Sequence, residues 1–86
     1  MVKTDDLSKL PNIGKILAEK LVEIGINSID DFSKVSTEAI FLKLRMIDST
    51  ACRSKLYAIE GAKRGIRWHS LDEITKSELN SFFNSL

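Results

Sequence analysis

Large apolar residues in this chain recur three and four positions apart, and nowhere do they alternate. Ile13, Leu17, Leu21 and Ile24 fall on one side of a helix, with Ala18 thinning the same side. A half-buried strand needs strict apolar–polar alternation, and no stretch supplies it. The sequence therefore predicts an all-α fold, a compact bundle of five to six short helices joined by turns. The 86 residues suit one domain, residues 1–86. A chain of this length buries only about 60–65% of its unfolded surface, so each large apolar side chain matters.

Capping residues place the helices. Asp5 and Asp6 suit the start of a short first helix ending near Leu10, where carboxylates meet the positive end of the dipole. The second helix runs from about Gly14 to Ile24. Gly25 follows at the left-handed C-cap position, and Ile26 is able to fold back on the last turn. Ser28 with Asp31 marks a third helix over about 29–34, and Ser36 or Thr37 caps a fourth. That fourth helix, "EAIFLKLRMI", is apolar nearly all round and is expected to be the most buried element. Ser49 or Thr50 caps a fifth, whose Cys52, Leu56, Ile59 and Ala62 make one stripe, with Cys52 read as an inert packing residue. Gly61 lies mid-helix, where glycine costs about 1 kcal/mol relative to alanine. It points to a close helix crossing that a side chain would block. "IRWH" reads as irregular, with Trp68 a lid on the core and His69 held by a structural hydrogen bond. Ser70 with Glu73, and Thr75 with Glu78, are capping-box patterns before a last helix whose apolar side is Leu79, Phe82 and Phe83.

The corner "LPNIGKILAEKL" is similar to the helix-hairpin-helix motif. Leu10, Pro11, Ile13, Gly14, Lys15 and Ala18 match its pattern, and Asn12 stands at the first glycine position. Asparagine enters positive φ at modest cost. The first turn of a helix carries N–H groups without intrahelical partners at the positive end of the dipole, which suits an anion. Asn12, Ile13, Gly14 and Lys15 are therefore the candidate contacts to a nucleic-acid phosphate. The same residues also build any tight helical corner. One hairpin engages one or two phosphates, so nucleic-acid binding is expected to be weak.

Net charge is +1, but it is unevenly spread. Residues 1–38 hold five Lys/Arg against seven Asp/Glu, residues 39–69 seven against two, and residues 70–86 one against three. The middle is a basic island, with Arg53, Arg64 and Arg67 as basic-face candidates for an anionic partner; solvated helix faces give the same count. Arg53, Tyr57, Glu60 and Arg64 recur on one polar face of the fifth helix, where Glu60 is in reach of Arg64 or Arg53. Cys52 is the only cysteine and His69 the only histidine, so neither a disulfide nor a metal set is expected, and no cofactor. The acidic pairs Asp30/Asp31 and Asp72/Glu73 fit helix starts better than catalysis, so no enzyme activity and no small-molecule substrate is expected. "MVKTDDLSKL" lacks a signal-peptide core and "AIFL" is far too short to span a bilayer, which predicts a soluble cytoplasmic protein with no membrane partner.

"LPNIGKILAEKLVEIGI" followed by "LYAIEGAKRGIRWHSL" resembles the C-terminal domain of the TfoX family, over about 7–83. Its members are bacterial regulators associated with DNA-uptake competence. The resemblance implies an all-helical, helix-hairpin-helix-like (SAM-like) domain and supplies no catalytic residues. It implies a non-enzymatic regulatory binding module acting through a protein partner, self-association as a homodimer, or nucleic acid. The alternative is a sequence-independent DNA-binding domain using the hairpin at Asn12–Lys15. Full-length members carry a separate N-terminal domain. A chain that begins at Met1 without it is expected to be a stand-alone form or a piece of a longer protein. The apolar "FFNSL" end would ask a dimer to cover Phe82 or Phe83.

Overall fold

The helical spacing is realised in full in the computed structural model, which describes residues 4–86, with side chains from Asp6 onward. Asp5's side chain lies outside the described set. The elements are α1 (Thr4–Leu7), α2 (Lys15–Glu23), α3 (Ile29–Lys34), α4 (Thr37–Ile47), α5 (Arg53–Arg64), a single 3₁₀ turn (Trp68–Ser70) and α6 (Glu73–Asn84). Among the described residues there is no strand.

Local chemistry explains most boundaries. α2 and α5 both end in a left-handed glycine. Gly25 has φ +96° and Gly65 has φ +72°. After α2, Ile26 N–H reaches Leu21 O at 2.8 Å and Gly25 N–H reaches Val22 O at 3.0 Å. After α5, Ile66 N–H reaches Gly61 O at 2.9 Å and Gly65 N–H reaches Ala62 O at 3.2 Å. Each pair of bonds is a Schellman closure, which satisfies the last carbonyls of the helix. Ser28 Oγ accepts from Asp31 N–H at 3.0 Å and starts α3. Ser36 Oγ accepts from Ala39 N–H at 3.2 Å and starts α4.

The core forms where these faces meet, and α5 stands at its centre, packed on α4, the 3₁₀ turn and α6. Leu7, Leu21, Ile40, Phe41, Leu44, Leu56 and Ile59 are fully enclosed. A polar network reaches this interior. Buried Thr37 donates to Glu60 Oε1 at 2.6 Å, and Arg64 Nε donates to Glu60 Oε2 at 2.7 Å. Burial pushes Glu60 upward, but the Thr37 hydroxyl and the Arg64 guanidinium outweigh it and hold the carboxyl below its usual range.

Several expectations are corrected. Neither Ser49 nor Thr50 caps α5. Thr50 N–H binds Asp48 Oδ1 at 3.0 Å, and the helix begins one turn later with Cys52 as N-cap. Cys52 is consequently exposed, and Ala51 takes the buried place. The α6 cap is Asp72, which accepts from Thr75 N–H at 3.2 Å, instead of either capping-box serine or threonine. α4 is not the most buried helix. Ile40, Phe41 and Leu44 face inward, while Leu42, Met46 and Ile47 face out, Met46 at 85% exposure. Within one chain Phe83 is half-buried. It packs on Phe41 with ring centroids 6.0 Å apart, and the guanidinium groups of Arg45 and Arg53 lie 5.7 and 5.3 Å from its centre.

Gly61 marks a close approach, though not of two helices. A Cβ there would lie 2.6 Å from Asn12 Nδ2, 2.9 Å from Ile66 O and 3.1 Å from Trp68 Cα. What crosses α5 is the Pro11–Asn12 corner and the chain that follows Gly65.

Candidate functional site

The corner at Pro11–Gly14 turns because Asn12 takes φ +68°. Its side chain does what glycine could not. Nδ2 donates to Ala58 O at 3.3 Å and to Ile66 O at 2.9 Å, and Oδ1 accepts from Trp68 N–H at 3.1 Å. One amide thus fastens the corner to α5 and to the segment after it. The Schellman turn at Gly65 reverses the chain, and the clamp fixes Arg67 and Trp68 beside the start of α2.

These contacts open a groove of about 620 Å³. Gly14, Lys15 and Ile16 line it from the start of α2, Ser54 and Lys55 from the start of α5, and Arg67 and Trp68 from the connector. Gly14 leaves its wall open, since a Cβ there would meet nothing within 4 Å. α3, α4 and α6 each start with a side-chain cap and an acidic first turn; α2 and α5 have neither. Among α2 to α6, the two helices without a side-chain cap are therefore the two that open on the groove. Their first N–H groups have no intrahelical acceptors, and both dipoles present their positive ends there. Lys15 and Arg67 are exposed and Lys55 is half-buried. Among the described residues none of these three cations has a carboxylate within ion-pair distance, whereas Lys20, Lys34 and Arg64 do. Positive backbone and positive side chains converge, an arrangement suited to an anion with more than one charged group.

The predicted contacts divide. Gly14 and Lys15 line the groove. Asn12 also borders it, but its side chain is taken up by the clamp, and Ile13 is buried in the core at 4% exposure. Of the basic-face candidates only Arg67 is present. Arg53 and Arg64 share a different face of α5. Arg53 lies over Phe83, and Arg64 is matched by Glu60 and by Asp72, 3.5 Å away. Lys55 and Ser54 were not singled out from the sequence, and the late start of α5 is what brings them to the groove. At the same helix start, the hydroxyl and N–H of Ser54 hold the Cys52 thiol below its ordinary value. His69 is exposed with its ring stacked on Trp68 at 3.9 Å. Among the described residues no three His, Cys, Asp or Glu side chains gather as a metal site. No helix there is long and apolar enough to cross a membrane.

Comparison with known proteins returns one family. The model of the TfoX C-terminal domain matches residues 3–83. No curated protein matches the chain significantly. Two crystal structures from Listeria monocytogenes are similar to it. A triclinic form of an uncharacterized protein is 48% identical with a TM-score of 0.89, over 92% of this chain and 90% of that one. A tetragonal form of a protein of unknown function is 47% identical with a TM-score of 0.87, over 91% of this chain and 96% of that one.

Proposed function

Because the chain belongs to the TfoX C-terminal domain family, we propose that it is a non-catalytic regulatory binding module whose groove between α2 and α5 holds the phosphate backbone of a nucleic acid without reading base edges. The supporting observation is the convergence of two uncapped helix starts with Lys15, Lys55 and Arg67, none of them ion-paired among the described residues. A single hairpin reaches one or two phosphates. The second helix start and its lysine extend the reach to about three, still a weak site beside the six to ten contacts of strong binders. Such a module suits a regulator that is concentrated on nucleic acid by further copies or domains.

Titration with an oligonucleotide at about 50 and 200 mM salt tests this. Three neutralised phosphates give an expected loss of about 20- to 40-fold in affinity over that range. The triple variant Lys15→Ala/Lys55→Ala/Arg67→Ala should abolish the complex. Binding that ignores salt, or survives the triple variant, would refute the reading. A protein contact, the other role expected from the sequence, is favoured by the outward Leu42, Met46 and Ile47 of α4. Sedimentation of Met46→Glu beside the wild type tests whether that face self-associates, and a wild-type monomer at micromolar concentration would count against a homodimer.

A further inference from the structure

Tyr57, Trp68 and His69 form a ladder of rings, and its middle ring, Trp68, lines the groove. Tyr57 and Trp68 have centroids 5.8 Å apart at 35°, and Trp68 and His69 3.9 Å apart at 26°. The ladder is anchored at its base and open at its tip. Trp68 is half-buried against the core, its backbone N–H fixed by Asn12, and the Tyr57 hydroxyl reaches Lys76 O at 3.5 Å. Lys76 Nζ in turn donates to His69 O at 3.3 Å, tying the 3₁₀ turn to α6. His69 is exposed. It follows Arg67 and Trp68, which line the groove, so a strand whose phosphates sit among the cations passes beside a flat ring already held in a stack.

Resting on the groove reading, we propose that the ligand is single-stranded nucleic acid, with one unpaired base stacked on His69 as a fourth ring. Duplex bases keep their faces inside the helix and offer this platform nothing, whereas a single strand can turn a base outward onto an aromatic surface. Such stacking tolerates any base, because each has a π-face, which agrees with a groove that carries cations and backbone N–H groups. The phosphate contacts supply attraction, and the ladder supplies the preference for strand state.

Trp68 is the only tryptophan, so its emission reports on the ladder directly. The test uses an oligothymidylate and a blunt duplex of the same length, at about 50 mM salt. The oligothymidylate should quench Trp68 and bind more tightly than the duplex. His69→Ala should weaken oligothymidylate binding by about 5- to 150-fold, the range stacking of one base commands, with duplex affinity and salt dependence unchanged. His69→Phe keeps a ring and should restore the affinity. Equal affinity for both nucleic acids, or an unaffected His69→Ala, overturns the single-strand proposal while the salt-dependent groove stands. Failure of both nucleic acids to bind overturns the groove reading and this proposal together.

Discussion

Replacing Gly61 with alanine should destabilise the protein, although alanine is the better helix former. In an open helix interior the exchange would gain about 1 kcal/mol. Here the new Cβ would stand 2.6 Å from Asn12 Nδ2 and 2.9 Å from Ile66 O. Both atoms must move, and they are bonded to each other at 2.9 Å. Loss of two Asn12 hydrogen bonds removes about 2 kcal/mol. Shifting the Ile66–Trp68 backbone adds the strain of overpacking, about 1–3 kcal/mol. The net expectation is a loss of about 2–4 kcal/mol once the helix gain is subtracted. Urea unfolding followed by Trp68 emission measures it, since the Trp68 Cα lies 3.1 Å from the new Cβ. Asn12→Gly removes the nearest clashing atom, so the effect of Gly61→Ala should shrink in that background. A Gly61→Ala protein as stable as the wild type, or more so, would show that the corner does not press on α5 as described.

Other outcomes follow from named contacts. Each of Lys15→Ala, Lys55→Ala and Arg67→Ala should lower the slope of log affinity against log salt by about 1 and weaken every sequence alike, measured by titration at several salt concentrations. Cys52→Ser gives α5 the cap it lacks and should raise stability by about 0.5–1 kcal/mol, read as a shift in the urea midpoint. The hydroxyl of Thr50 and the Lys20 ammonium, 3.0 Å away, hold Asp48 down at about 2. A depressed carboxylate stabilises the fold above its unfolded pKa of about 4, and that contribution is lost as pH falls towards 2. Asp48→Asn should therefore be less stable than the wild type at neutral pH, with the gap closing across that acid window in thermal melts. Ser36→Ala removes the bond to Ala39 N–H and should cost about 1 kcal/mol in the same assay.

Much of the fold was legible because its signals are local. The spacing of Ile13, Leu17 and Leu21, the glycine at 25 and the Ser28 cap each act within a turn or two of chain, and the structure follows them. The errors fell where a local signal met a competitor. Thr50 has the right chemistry for a cap, but Asp48 is nearer and takes its N–H, which moves the start of α5 and turns Cys52 out to solvent. Helix α4 has apolar residues all round, and a chain this short lacks enough other elements to cover both faces. The groove was half legible. Gly14 and Lys15 follow from the corner motif, but Lys55 and Arg67 join them only through the Asn12 clamp, whose partners lie 46 and 54 residues away along the chain. An asparagine where the motif has glycine was the available clue, because a side chain that tolerates positive φ can also bond across it.

The proposed occupant of the groove between α2 and α5 is a nucleic-acid strand. Amide chemical-shift mapping during titration with an oligonucleotide at low salt tests it most directly. The shifts should concentrate on residues 14–17, 53–55 and 67–69 and fade together as salt is added. Shifts confined to the outward face of α4, or none at low salt, would contradict it.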